Sequence, residues 1–262
     1  RTLKSGAERL DDGIRERQTH SVLLETGYTF NDRFSTDLFL SFVRQERRIF
    51  SPFGNNTTIT NGIGDAVVLF KYRVTNINSR NTLLIGAGPK IPLGTTEKLS
   101  DQGFGLPADL QPGSGSWDGV FWANLSTGLG SRKSMSFSLT TIYRLTGANN
   151  DYLGSVKYEF GDDIQILAGI ADRVAVGSKV IDPSFSLRYR RAARDRNNDQ
   201  FIEATGGEWV FAVPSIKYLV NNDLSASVTL ELPIYSFVNN TQLTPSQRFT
   251  LGFYYLLNRK ES

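Results

Sequence analysis

Apolar and polar residues alternate along this chain in segments of roughly 10–14 residues, and each segment ends in a cluster of turn residues. Between residues 226 and 234 the even positions are apolar, while the odd positions are serine, threonine, glutamate and one proline. Residues 249–257 repeat the pattern with phenylalanine, leucine and tyrosine at the odd positions. A period of two is the period of a β-strand, because successive side chains leave opposite faces of the pleat. Strands of about 9–11 residues with one apolar face are typical of a membrane-spanning β-barrel.

The same pattern predicts eleven strands. They cover residues 19–30, 34–48, 63–75, 80–93, 117–130, 134–146, 152–173, 183–194, 207–220, 224–237 and 246–258. Short turns such as 31–33 and 221–223 alternate with long connections at 49–62, 94–116, 195–206 and 238–245. Barrels in the outer membrane have short periplasmic turns and longer outside loops, so this alternation predicts the two ends.

Two features of this strand pattern leave alternatives open. Residues 152–173 are read as one long strand with a bulge at Gly161, although Asp162 then falls on the apolar face. Because bacterial barrels have an even strand count, we expect twelve strands, with the first either upstream of Arg1 or within residues 1–12. Residues 1–18 otherwise read as an outside loop. The predicted fold is all-β: a single antiparallel transmembrane β-barrel domain over residues 1–262, closed by the C-terminal strand.

Composition agrees with a barrel and excludes several other classes. The mean hydropathy of −0.26 is too polar for a helical membrane protein. The absence of cysteine excludes a disulfide framework and a thiolate site. The net charge of +3 comes from scattered residues, so we expect no nucleic-acid partner. We also expect no cofactor.

Several glycine-rich motifs resemble those of a known family. They are residues 62–65 (GIGD), 86–94 (GAGPKIPLG), 113–118 (GSGSWD), 158–162 (YEFGD), 205–207 (TGG) and 213–218 (VPSIKY). Together they resemble the outer-membrane transporter family associated with the phenol-degradation meta-cleavage pathway. The resemblance implies a β-barrel that passes small, often aromatic, molecules, and it implies no catalytic residues.

Charged residues concentrate on the face opposite the apolar one, and these are the candidates for lining the lumen. They are Asp65, Lys71, Arg73, Lys90, Asp118, Arg144, Lys157, Glu159, Arg188, Arg190, Lys217 and Glu231. A Lys or Arg facing lipid at the midplane would cost about 2–4 kcal/mol, so these side chains should face inward. They either set the selectivity of a conduit or fill the lumen with ion pairs. Counting from the turn at 221–223, we expect Lys217 and Glu231 to pair across their strands.

Three further features are candidates for chemistry. Asp195, Asn197, Asp199 and Glu203 have oxygen ligands at spacings that weakly resemble a Ca²⁺ loop, although Gln200 replaces the expected glycine. The lone histidine, His20, could serve a lipid-modifying enzyme of the outer-membrane phospholipase type only with a nucleophile beside it. The long loop 95–116 could fold into the mouth as a constriction or dock a partner.

Taken together, the pattern favours a passive channel or transporter for small molecules in the bacterial outer membrane. The alternatives are a non-transporting barrel that serves as an accessory or scaffold subunit of an envelope complex, and, less favoured, a lipid-modifying barrel enzyme. The expected partners are outer-membrane lipid and envelope proteins that contact the long outside loops.

Overall fold

Antiparallel strands make up most of this chain. The structure, a computed structural model, describes residues 2–10, 15–51, 54–130, 134–177 and 179–257. The first nine strands are β1 Thr2–Gly6, β2 Glu8–Arg9, β3 Arg15–Thr29, β4 Phe34–Ile49, β5 Asn56–Ile63, β6 Ala66–Arg73, β7 Asn81–Ile91, β8 Asp118–Gly128 and β9 Ser136–Leu145. The others are β10 Ala148–Tyr152, β11 Val156–Glu159, β12 Asp163–Ala171, β13 Val174–Val176, β14 Lys179–Ala192, β15 Arg196–Asn197, β16 Gln200–Phe201, β17 Gly207–Leu219, β18 Leu224–Thr244 and β19 Arg248–Tyr255.

Helical structure is minor in the described residues. It is limited to a 3₁₀ turn at Ala108–Leu110, and no helix there has the length and apolar character of a membrane span.

One large antiparallel sheet contains fifteen of the strands seen in the described residues. From one edge, its neighbours run β3, β4, β6, β7, β8, β9, β12, β14, β17, β18. Each strand therefore pairs with the next long strand along the chain, as expected when short turns join antiparallel neighbours. The predicted all-β antiparallel architecture is confirmed. The remaining strands, β10, β11, β15 and β16, form a small second sheet.

The long strands at the two ends of the meander are β3 and β19. Among the described residues, no ladder joins them. Thr2–Gly6 does pair, but with residues 238–244 of β18. This is the same side of β18 on which β19 pairs with residues 224–231. The N-terminal residues therefore extend the β19 edge. Residues 1, 11 and 12 of the predicted first strand lie outside the described residues.

The two faces of the sheet differ in chemistry. On one face, which we call the apolar face, large hydrophobic side chains such as Phe70, Phe185, Val228 and Phe253 are exposed. The other, the charged face, carries Lys71 from the same strand as Phe70 and most of the ion pairs described below. The predicted alternation is thus present in the structure. A bulge opposite Val210 and Phe211 shifts the pattern by one residue in β18, so that Ser236 and Val238 are buried.

The prediction of one continuous strand over 152–173 is wrong. β11 ends at Glu159 and belongs to the small sheet, whereas β12 begins at Asp163 and belongs to the large one. Asp162 explains the break, because its carboxylate accepts hydrogen bonds from the backbone N–H of Thr146 (2.9 Å) and the hydroxyl of Tyr143 (2.8 Å). Gly161 is needed at this corner, because a Cβ there would lie 2.1 Å from the carbonyl oxygen of Ala193.

Several predicted connections contain strands: 195–206 holds β15 and β16, and β18 continues through 238–245 to Thr244. The connection 49–62 includes β5, which continues along the second half of β4 above β6. Residues 148–152 form β10, which makes a hairpin with β11. β5 belongs to the large sheet and β10 to the small one, and both lie at the end where the long connections are.

Candidate functional site

A belt of ion pairs crosses the charged face from strand to strand. It begins at Lys90, which lies opposite Asp118 on the neighbouring strand. The Lys90 ammonium nitrogen is 3.0 Å from a carboxylate oxygen of Asp65 and 2.8 Å from one of Asp118. Arg144 on β9 approaches the same Asp118 oxygen at 3.9 Å. Lys90 and Asp118 are both buried, so this end of the belt is held by charges that compensate each other.

The belt continues on β12 with Asp163, which lies opposite Arg144. Arg190 on β14 donates to the Asp163 carboxylate at 2.6 Å. Gln165 links the next pair, since its amide donates to Asp163 at 2.7 Å and accepts from Arg188 at 3.2 Å. The charges on neighbouring strands are therefore connected through hydrogen bonds.

The belt ends at Glu231 on β18, which two arginines share. Arg188 reaches it at 2.6 Å, and Arg248 on β19 approaches it at 3.7 Å. Glu231 was expected to pair with Lys217, and that expectation is wrong. Lys217 lies opposite Ser227, four residues from Glu231 along β18, and its ammonium nitrogen lies 5.4 Å from the ring centre of Tyr254.

Aromatic rings support the arginines of the belt. The guanidinium carbon of Arg188 lies 4.4 Å from the ring centre of Phe211, and that of Arg190 lies 5.3 Å from the ring of Trp209. Both rings belong to a buried cluster with Val213 and Val238. Cation–π contacts contribute about 0.5–2 kcal/mol each, depending on desolvation. The rings thus fix the two guanidinium groups in place.

Other predicted lumen residues lie away from the belt. Lys71 pairs with Asp37 and lies 5.7 Å from the ring centre of Trp122, nearer the short turns. Arg73 is half-buried two residues further along β6, on the same face as Lys71. The belt also includes Asp163 and Arg248, which the sequence reasoning did not single out. Asp163 is a single acidic residue at the start of a strand, and Arg248 follows a loop. Neither stands in a sequence pattern that sets it apart from other charged residues.

Lys157 and Glu159 lie on β11, in the small sheet. Lys157 contacts Asp199 at 2.5 Å, and Glu159 contacts Arg196 at 3.5 Å. Both partners belong to the β15–β16 hairpin. These two candidates therefore line the small sheet rather than the charged face of the large one.

The long loop between β7 and β8 is clamped at both of its ends by Asp65. One carboxylate oxygen of Asp65 accepts from the backbone N–H of Gly94 (3.2 Å), and the other accepts from the N–H (3.0 Å) and hydroxyl (2.6 Å) of Ser114. The two ends of the loop touch at Gly94 and Gly113, where a Cβ on Gly113 would lie 2.3 Å from the Gly94 oxygen. The glycine-rich motifs around these residues therefore close the base of the loop.

The tip of the same loop is fixed over the sheet. Arg17, a buried residue of β3, donates to the carboxylate and the carbonyl of Asp109. The hydroxyl of Thr60 donates to the carbonyl of Leu110 at 2.8 Å, and Tyr152 of β10 donates to the carbonyl of Leu106. The loop side chains Leu106, Ala108 and Leu110 are buried. Of the two sequence interpretations, the structure supports a loop that folds inward over the end of the sheet.

The weak Ca²⁺ pattern forms a β-hairpin instead. Asn198 and Asp199 have positive φ values of 48° and 65°, as in the two-residue turns that join hairpin strands. Its side chains go to separate partners: Asp195 accepts from the Tyr158 hydroxyl (2.7 Å), and Glu203 pairs with Arg194. Asn197 is exposed beside the turn. Within the part of the chain that the structure describes, no group of three or more acidic or histidine residues is arranged to hold a metal ion.

Asp195 and Tyr158 are both half-buried and lie in contact. Burial raises the pKa of the Asp195 carboxyl above its ordinary value, against the lowering effect of the hydrogen bonds from Tyr158 and Gly161. Burial, followed by the charge of Asp195, raises the pKa of the Tyr158 hydroxyl. The raised pKa of Tyr158 keeps its hydroxyl protonated, so it donates to Asp195 and anchors β11 to the connection before β15.

His20 is exposed on β3, opposite Arg44. It lies on the same face as Val22, which is also exposed.

Comparison with known proteins supports the fold. No family model matches the chain, and no curated protein matches its sequence. The crystal structure of an outer membrane channel from Pseudomonas putida F1 is similar, with a TM-score of 0.69 and 13% sequence identity over 97% of this chain and 88% of the channel. At this identity the similarity shows that the two chains share a fold. The outer-membrane location and the association with phenol degradation stay predictions.

Proposed function

We propose that this protein is a β-barrel channel of the bacterial outer membrane that passes small molecules. The observation that carries the proposal is the separation of the two faces of the sheet. Charged groups cluster on one face, while exposed phenylalanine, leucine, isoleucine and valine cover the other. In lipid, a sheet of this kind is stable only if it curls into a barrel with its apolar face outward. Otherwise the backbone groups of its edge strands would be unpaired in the membrane, and its apolar face would not meet lipid.

The described strands occupy eleven positions in the proposed wall, as the sequence pattern predicted. β3 and β19 run in the same direction, because ten reversals, an even number, separate them in the meander of eleven strands. A twelfth strand between them would make every contact antiparallel, so a single-domain barrel of twelve strands remains our proposal. In it, the charged face lines the lumen and the apolar face meets lipid.

The proposed channel is narrow and polar. The ion-pair belt lines the wall, and the loop held by Asp65 and Arg17 crosses the outer end. Small hydrophilic solutes that replace part of their hydration with the belt residues would pass, and larger ones would be excluded. The family resemblance and the similar outer membrane channel both support this function.

Conductance in planar lipid bilayers tests the proposal. Purified protein added to one side should produce discrete current steps, and protein denatured before addition should produce none. The absence of steps across many independent insertions of folded protein would contradict the proposal.

A second function is favoured by the same belt and loop. If the ion pairs and the loop fill the lumen, the barrel would conduct nothing and would instead serve as an accessory subunit of an envelope complex. The buried loop residues Leu106 and Leu110 support this alternative. Affinity purification from outer membranes under mild detergent would then recover a stoichiometric partner, whereas a channel that acts alone would be recovered without one.

A further inference from the structure

One end of the ion-pair belt carries more positive charge than its carboxylates neutralise. Arg188 and Arg248 both approach the single carboxylate of Glu231. Elsewhere in the belt, Lys90 has two carboxylates within 3.0 Å, and Arg190 has Asp163. The excess cation therefore lies at the β18–β19 end.

The two arginines are not held equally. Arg188 is 15% exposed and is fixed by Gln165, Glu231 and the ring of Phe211. Arg248 is 61% exposed, and its 3.7 Å approach to Glu231 is too long for a hydrogen bond. A guanidinium presents a planar fork of donors that matches a carboxylate, so Arg248 retains capacity for a second anion.

Small hydroxyl side chains lie beside Arg248 on the same face. Thr250 is two residues along β19 and lies opposite Thr229, whose hydroxyl is 2.8 Å from that of Ser215. Further along β19, Gly252 lies opposite Ser227. These residues place hydroxyl groups on the same face as the guanidinium.

We propose that Arg248, supported by Arg188, forms a binding site for the carboxylate of a small organic anion. The proposal rests on the proposed function, because it places this face in the lumen, and it adds the class of solute that the channel favours. An incoming carboxylate takes the exposed side of Arg248 while Glu231 keeps Arg188. The row of hydroxyl side chains then lies beside the organic part of the solute.

Equilibrium binding tests the site without requiring conduction. ¹⁹F NMR of 4-fluorobenzoate with the detergent-solubilised protein should show saturable line broadening, and the neutral 4-fluorobenzamide should show none. Arg248→Gln should weaken the binding of 4-fluorobenzoate at least about tenfold, the loss expected for one charge-assisted contact. Lys217→Gln removes an equal charge from the same face and should leave the binding unchanged.

The outcomes separate the site from a general charge effect. Equal weakening in Arg248→Gln and Lys217→Gln would overturn the proposal, as would equal binding of the acid and the amide. Glu231→Gln frees both arginines and should tighten binding, so unchanged or weaker binding in a variant that still folds would also contradict it.

Bilayer recordings distinguish failure of the site from failure of the channel. If the wild type conducts, 4-fluorobenzoate should block the chloride current, and Arg248→Gln should relieve the block. Current steps without any block would refute the site and leave the channel intact. Saturable binding to a protein that never conducts would refute the channel and leave the site intact.

Discussion

At the scale of the residue, the face on which a side chain lies decides its environment. Val228 is 46% exposed on the apolar face, and its ladder partners Ile216 and Leu251 are also exposed. Thr229, one residue later, bonds to Ser215 on the charged face. Because the strand period is two, adjacent positions meet opposite surroundings.

An arginine at these two positions should separate the faces. Val228→Arg should lower the free energy of unfolding in lipid by about 2–4 kcal/mol or block assembly, because it places a charge in the membrane interior. Thr229→Arg should assemble normally and shift the conductance toward anions. Unfolding in urea, followed by tryptophan fluorescence, measures the difference. A stable Val228→Arg beside an unstable Thr229→Arg would show that the two faces are reversed.

Lys90 should be the least replaceable cation of the belt. Lys90→Met leaves the carboxylates of Asp65 and Asp118 without their shared partner, and breaking a buried pair in this way costs about 3–5 kcal/mol. Lys217→Met, at an exposed lysine, should cost less than about 1 kcal/mol. The same urea experiment compares them, and equal losses would contradict the assigned role of Lys90.

His20 should have no role in function. Because it is exposed on β3 opposite Arg44, His20→Ala should retain the conductance and the stability of the wild type. Phospholipid hydrolysis by the wild type that disappears in His20→Ala would instead support the enzymatic alternative.

At the scale of the element, the loop between β7 and β8 is the segment whose position most depends on distant contacts. Its base is held by Asp65 and by the contact of Gly94 with Gly113, and its tip is held by Arg17. Asp65 lies directly before β6 and Arg17 lies on β3, so the loop contacts two separate parts of the sheet. Its tip lies over the charged face, where Arg17 and Thr60 hold it.

Gly113→Ala should release this loop. The added methyl group would lie 2.3 Å from the Gly94 oxygen, so the two ends of the loop must separate. Lys98, which lies within the loop, should become accessible to trypsin, and the conductance should rise. Gly128→Ala is the control, because its Cβ would meet only one atom at 4.0 Å. Equal resistance to trypsin in both variants would indicate that the loop tolerates the added group.

At the scale of the whole molecule, the large sheet is built almost entirely from neighbours in sequence. This meander gives each strand its partner through a short turn, and the long connections collect at the other end. A closed barrel should resist detergent at room temperature. The unheated protein should therefore migrate faster on an SDS gel than the boiled protein. Identical migration of both samples would argue against closure.

The sequence by itself determined the approximate bounds of most long strands and the face on which most of their side chains lie. These properties depend on a period of two and on local turn residues, which a single segment records. It did not foresee the break at Gly161, because the carbonyl that excludes a Cβ there belongs to Ala193, directly after the distant strand β14. It also did not place Asp163 and Arg248 in the belt.

Only the tertiary structure decided which charge meets which. Glu231 pairs with Arg188 rather than with Lys217. Arg188 extends across the ring of Phe211 from β14, two strands away, whereas the strand register places Lys217 opposite Ser227, four residues from Glu231. The long loop folds inward for the same reason, since its partners Arg17, Thr60 and Tyr152 come from three other strands. Alternation of apolar and polar residues determines the face on which a side chain lies. Its partner depends on the strand register and on the reach of long side chains, which the local sequence pattern does not encode.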